Sequence, residues 1–117
     1  MDRIFAFAQS LQLAVQLDPA TDSFFTGGEG RGRKLLQQMK GLKFELRAQM
    51  DTENAPLAIS SFNLHETFFS RRFGFRLADG SDAYSGCVAF GLERWALALA
   101  LTLGANQAFS LVEQEHR

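Results

Sequence analysis

Cysteine occurs once, at Cys87, and histidine twice, at His65 and His116, in a chain of 117 residues. One thiol cannot close an intramolecular disulfide, so nothing points to an oxidising compartment. Cys and His together are also too few for a four-coordinate structural zinc built from those ligands alone. A basic excess is missing: 12 Lys+Arg stand against 13 Asp+Glu, for a net charge of −1. The electrostatic footprint of a nucleic-acid binder is therefore absent. Long apolar runs are lacking as well. The longest strongly apolar stretch, residues 95–103, falls well short of the ~18–20 residues that cross a bilayer. The N-terminus interrupts its apolar residues and carries no small-residue cleavage site of a signal peptide. No membrane partner is expected, and the cytoplasm is the expected location.

What is present suits one globular domain over residues 1–117, since 46% of residues are hydrophobic and 21% charged. Twelve phenylalanines accompany a single Tyr and a single Trp. Phe brings area without a polar handle, so most rings should be buried. Two neighbouring rings, as at Phe24 with Phe25 and Phe68 with Phe69, cannot share one face of a regular element. One ring of each pair should be exposed, or should pack on something outside this chain.

Periodicity sets out the elements. Ile4, Phe5, Phe7 and Ala8 form a helical stripe, which gives way near Ser10 to period-two alternation at Leu11, Leu13, Val15 and Leu17. Residues 18–32, punctuated by Pro19 and four glycines, read as a loop, and 33–38 as a short helix. Leu42, Phe44, Leu46, Ala48 and Met50 alternate with polar residues, the pattern of a half-buried strand. A turn at 51–56, a strand at 57–62 and a short helix or turn at 65–72 follow. Phe73, Phe75 and Leu77 lead into Ala78-Asp79-Gly80-Ser81, a hairpin signal with a return strand at 83–90. Residues 93–103 read as a helix closed by Gly104, and 107–114 as a last helical segment. This order predicts an α+β fold, an antiparallel sheet flanked by helices.

Two segments invite a chemical reading. The glycine cluster Gly27-Gly28-Glu29-Gly30-Arg31-Gly32-Arg33-Lys34 fails as a Walker loop, because Leu35 follows Lys34 where Ser or Thr is needed for magnesium. It reads as a solvated loop. In Gly91-Leu92-Glu93-Arg94 a strand meets a helix whose first turn carries Arg94. A cation at the positive end of a helix is unfavourable. Either a bound anion or a neighbouring carboxylate would compensate it.

These residues resemble a known family. A glycine-containing strand leading into Gly91-Leu92-Glu93-Arg94 and a long apolar helix is similar to motif 3 of class II aminoacyl-tRNA synthetases, here at about 84–104. Ile59-Ser60-Ser61-Phe62-Asn63 with Ser70-Arg71-Arg72 resembles the seryl-tRNA synthetase stretch before that motif. A nearer resemblance is to amino acid:[carrier protein] ligases, through Asp22-Ser23-Phe24-Phe25, Leu42-Lys43-Phe44-Glu45-Leu46, Ser61-Phe62-Asn63-Leu64-His65, Ala78-Asp79-Gly80 and Gly86-Cys87-Val88-Ala89-Phe90-Gly91-Leu92-Glu93-Arg94. The matches run from about Asp22 to Gly104 in the same order.

The resemblance implies a partial class II synthetase-like catalytic core. It implies an enzyme that adenylates a small amino acid, glycine or alanine, with ATP-magnesium. The acyl group then passes to the phosphopantetheine thiol of a carrier protein. Arg94 and Ser60 would bind ATP, Asn63 and His65 would line the substrate pocket, and Cys87 would be a zinc ligand. The family's other zinc ligands, its motif 1 dimer interface and its motif 2 arginine lie upstream of the matched region. The chain therefore reads as the C-terminal portion of a ligase, with an incomplete zinc site. Where seryl enzymes carry a glutamate before the serines, this chain has Leu57 or Ala58, which removes a magnesium contact. No residue is assigned as catalytic, and the chain alone is expected to be inactive. The alternative expectation is a non-catalytic assembly module that docks on a partner, such as a separate N-terminal half or a second copy. On a third expectation it is the product of a broken gene.

Overall fold

The computed structural model describes residues 1–21 and 41–114. The expected loop from 22 onward, the helix at 33–38 and the glycine cluster lie outside the described residues. Four strands, β1 (Val15–Pro19), β2 (Lys43–Ala48), β3 (Leu57–Glu66) and β4 (Ser85–Phe90), form one antiparallel sheet in the order β1-β2-β3-β4. Helix α1 (Asp2–Ser10) precedes them, α2 (Phe68–Phe73) lies between β3 and β4, and α3 (Leu92–Leu103) and α4 (Ala105–Gln114) follow. The α+β class and the antiparallel sheet read from the sequence are both present.

Among the described residues the chain divides into two compact units. One is drawn from Met1–Asp18, Glu45–Ser60 and the described residues from Phe90 on, the other from the described residues of 19–44 and Ser61–Ala89.

The first unit holds most of the buried apolar side chains. Helix α1 stops because Gln12 adopts a left-handed φ of 63°, a conformation that costs an L-residue energy and cannot continue a helix. The Leu13 N–H turns back to the Ala8 carbonyl at 3.2 Å. This bend moves the start of β1 from the expected Leu11 to Val15, although Leu13 is buried as the alternation predicts. The Gln49 N–H donates to the Ala14 carbonyl at 2.9 Å. Leu46, Ala48, Ile59, Trp95 and Ala98 join Ala8 and Leu13 as buried residues. Trp95 stacks obliquely on Phe7 and on Phe90, each with ring centroids 6.1 Å apart. Helix α3 is anchored at its start by Gly91, whose N–H donates to the Ile59 carbonyl at 2.8 Å. It ends at Gly104, with φ 82°, where an L-residue would be strained. Helix α4 packs on α3 and begins two residues earlier than expected.

In the second unit β3 runs four residues beyond its expected end, to Glu66. Glu66 has φ 50°, which turns the chain sharply out of the strand and into α2. The Asp-Gly turn forms: the Gly80 N–H donates to Leu77 O at 2.9 Å and the Leu77 N–H to Ser81 O at 3.0 Å. Asp79 accepts from the Ser81 N–H at 2.9 Å and from its hydroxyl at 2.6 Å. These bonds hold its carboxyl below the usual carboxylate range, the Ser81 hydroxyl contributing most. The hairpin strands are shorter than the alternation suggests. Residues 73–77 pair only through the bridge of Arg76 with Asp82, and the return strand starts at Ser85.

Candidate functional site

The expected site residues fall into both units. In the first unit, Arg94 sits two residues into α3, displayed by the strand-to-helix turn at Gly91. Its guanidinium Nη1 donates to the Ala58 carbonyl at 2.8 Å. A main-chain oxygen on β3 thus takes the place of the carboxylate that sequence reasoning weighed. Arg94 remains exposed, and the guanidinium has five N–H donors in all, so capacity for an anion is left. A Cβ at Gly91 would lie 3.2 Å from Arg94 Cδ and 3.4 Å from the Ile59 carbonyl, so the Arg94 side chain would have to give by a few tenths of an ångström.

Ser60 is 4% exposed, and its hydroxyl accepts a hydrogen bond from the Trp95 indole at 2.9 Å. A buried indole N–H without a partner would cost about 1–3 kcal/mol, so this bond fixes the first turn of α3 against β3. The sequence offered no signal for it, because the partners are thirty-five residues apart.

In the second unit, β3 and β4 pair so that Asn63 faces Cys87 and His65 faces Ser85. The Asn63 amide Nδ2 lies 3.4 Å from the Cys87 sulfur and 3.4 Å from the Ser61 hydroxyl. With the amide donors turned to these two groups, the carbonyl Oδ1 is the end left to accept from a ligand N–H. The Ser85 hydroxyl lies 3.4 Å from His65 Nδ1. The His65 ring meets Phe69 edge-on, with centroids 4.7 Å apart at 90°. Alternation along the two strands puts Ser61, Asn63, His65, Ser85 and Cys87 on one face of the ladder. Ser61, Ser85 and Phe69 are additions to the expected set. Close strand contact is required here, since a Cβ at Gly86 would stand 2.9 Å from the Asn63 carbonyl.

Cys87 is a free, exposed thiol. Among the described residues no group of three or more His, Cys, Asp and Glu side chains could hold a metal ion. Cys87 with His65 and Asn63 does not amount to a zinc-binding donor set, which needs three or four such ligands.

Beyond this ladder, a pocket in the same unit is lined by His65, Glu66, Thr67, Phe68, Arg71 and Arg72. Arg71 Nε donates to Asp82 at 2.7 Å. That hydrogen bond, and then the carboxylate's charge, raises the Arg71 guanidinium above its ordinary value.

No family model matches the chain. It is 40% identical over 106 residues to an amino acid--[acyl-carrier-protein] ligase 1 of Bradyrhizobium diazoefficiens, covering 91% of this chain and 32% of that protein. Ligase 2 of the same organism is 39% identical over 86% of this chain and 30% of its own length. A type-2 serine--tRNA ligase of Methanococcus aeolicus is 26% identical over 83% of this chain and 19% of its length. The chain thus spans about a third of the length of the ligases it matches. Over nine tenths of its own length it is related to the amino acid--[acyl-carrier-protein] ligases, with type-2 seryl-tRNA ligases as more distant relatives.

Proposed function

We propose that the chain forms part of an ATP-dependent ligase that activates a small amino acid and hands it to a carrier protein. The observation that carries this reading is the 40% identity to such a ligase over 91% of the chain. The placement of Arg94 supports it: a guanidinium displayed at the start of α3 suits the phosphates of ATP. In the reaction, a carboxylate oxygen of the amino acid attacks the α-phosphorus and pyrophosphate leaves. The carrier thiol then attacks the carbonyl carbon of the aminoacyl-adenylate and AMP leaves. Arg94 stabilises charge on the phosphates in the first step. Ser60 acts through Trp95, holding the helix that carries Arg94. The Asn63 carbonyl accepts from the substrate amine, and His65 and Ser85 border it. Cys87 is the one thiol this segment offers, and it would serve zinc only if the remaining ligands came from other parts of a ligase-length protein.

The chain on its own lacks enough of the substrate clamp to turn over. Calorimetric titration with ATP-magnesium should give weak binding that disappears in Arg94→Ala, while ATP–pyrophosphate exchange with glycine or alanine stays at background. Binding untouched by Arg94→Ala would remove Arg94 from the ATP site. Exchange by the isolated chain would refute its inactivity.

A second reading is favoured by apolar side chains left open in each unit: Leu92 and Phe109 are 73% and 69% exposed in the first, and Phe73 is 72% exposed in the second. On it the chain is an assembly module that joins a separately supplied ligase half. The two readings part on reconstitution, because activity that returns only with the other half supports the second.

A further inference from the structure

The sheet has two edge strands, and they differ in what they offer an incoming chain. Strand β1 closes with Asp18 and Pro19, a charge and a missing N–H donor, both of which block further pairing. Strand β4 reads Ser85-Gly86-Cys87-Val88-Ala89-Phe90, without charge or proline, and Gly86 to Phe90 are all exposed. No strand lies beyond it among the described residues. The direction of its main-chain groups follows from its neighbours. The Leu64 N–H donates to Leu42 O at 2.7 Å, so the Leu64 main chain faces away from β4. Main-chain groups alternate sides along a strand, so those of Asn63 face β4, where Cys87 stands opposite. Cys87 is therefore bonded toward β3. Its neighbours Gly86 and Val88 turn their N–H and C=O groups to the open edge.

The side chains beside these groups are apolar and open: Leu64 is 58% exposed and Val88 49%. Gly86 leaves a bare position next to them, where a Cβ would come within 3.6 Å of Leu64 Cδ2. We propose that the occupant of this edge is a second copy of the same strand, paired antiparallel about a two-fold axis at Cys87. That axis uses both outward-facing residues. Gly86 of each copy stands opposite Val88 of the other, and each such pair exchanges both N–H···O bonds. The valine covers the bare position of the glycine and meets Leu64 there. A two-fold axis needs the same surface on both sides, and β4 carries no charge to repel its copy. Because β1 is blocked, pairing through β4 closes the assembly at two copies and builds no filament. One strand pair buries less than about 1,200 Å², the lower bound of a standard interface, so the dimer should dissociate reversibly in the micromolar range. The proposal does not rest on the ligase reading.

Sedimentation equilibrium of the full chain, from low to high micromolar loading, should show a reversible monomer–dimer equilibrium with no larger species. Val88→Pro removes an N–H that points away from β3, so the sheet and its far-UV circular dichroism are kept. It should weaken the dimer about tenfold or more. Val88→Lys sets a charge on the edge and should act the same way; it carries the test if the proline variant does not fold. The register has its own readout. Across the axis the Cys87 Cα atoms form a non-hydrogen-bonded pair about 4.5 Å apart, within disulfide reach. Diamide, which takes an electron and a proton from each thiol, should join wild-type chains through Cys87 and join Val88→Pro chains far more slowly. A control with Cys87→Ser and Thr52→Cys, its thiol moved to an exposed turn, should react as slowly as the proline variant. A monomer at every loading, open-ended growth, or a dimer left intact by both Val88 variants would overturn the proposal. A dimer that diamide joins no faster than the Thr52→Cys control would overturn the axis at Cys87.

Discussion

The two units differ in what they bury. The first holds Ala8, Leu13, Leu46, Ala48, Ile59, Trp95 and Ala98 in its interior, whereas the second buries Phe62 and Ala83 among its apolar residues. In the second unit Leu64, Phe68, Phe73, Phe75, Leu77, Tyr84 and Val88 are open to solvent, as are Phe7, Leu92, Leu101 and Phe109 among others in the first. The polar groups follow the same division. Ser60 in the first unit spends its hydroxyl on the Trp95 indole. Asn63, His65, Ser85 and Cys87 in the second meet one another on an accessible face. Among the described residues, the first unit holds most of the buried apolar side chains, and the second presents polar groups on an exposed strand ladder.

The sharpest challenge to that contrast is a pair of truncations. Trp95→Ala removes a buried aromatic that contacts Phe7 and Phe90, and it should lower stability by about 3–5 kcal/mol. Phe73→Ala in the second unit removes a ring that is 72% exposed, and it should change stability by no more than about 0.5 kcal/mol. Urea denaturation of both variants measures the gap, and similar losses would erase the distinction between the units. A smaller effect is expected from Ser60→Ala. It leaves the indole N–H buried without a partner, at about 1–3 kcal/mol, and the same denaturation series reads it.

The smallest effect is a local one in acid. Asp51 accepts from the Asn54 side chain and from the Asn54 and Glu53 backbone N–H groups. These bonds, the Asn54 side chain first, hold its carboxyl below the usual carboxylate range. A group whose folded pKa is depressed stabilises above its unfolded pKa, and that contribution fades as the pH falls through the folded value. The amide signals of Glu53 and Asn54 should therefore shift only in strong acid, while those of the first unit's core stay in place. A midpoint in the ordinary carboxylate range would show that the Asn54 bonds do not form in solution.

Much of this architecture could be read from local pattern. Alternation from Leu42 located β2, and the Gly91 and Gly104 punctuation bounded α3 within a residue. Asp79-Gly80 marked its turn correctly. The misplacements have a common physical source, a single backbone angle that overrides side-chain periodicity. Gln12 at φ 63° delays β1, and Glu66 at φ 50° ends β3 later than its apolar residues suggest. Neither residue type advertises a left-handed conformation. The site was legible as a set of residue types, because Arg94, Asn63, His65 and Cys87 sit in strings shared with a family. Its connections were not. The bonds from Arg94 to the Ala58 carbonyl and from Trp95 to Ser60 join residues more than thirty positions apart, and only the folded chain pairs them.

Strand β4 has a consequence of a different kind. It is an edge of the described sheet, it contains neither charge nor proline, and every residue from Gly86 to Phe90 is exposed. Edge strands of that composition act as templates for other extended chains. Left unpaired, such an edge makes self-association rise with protein concentration.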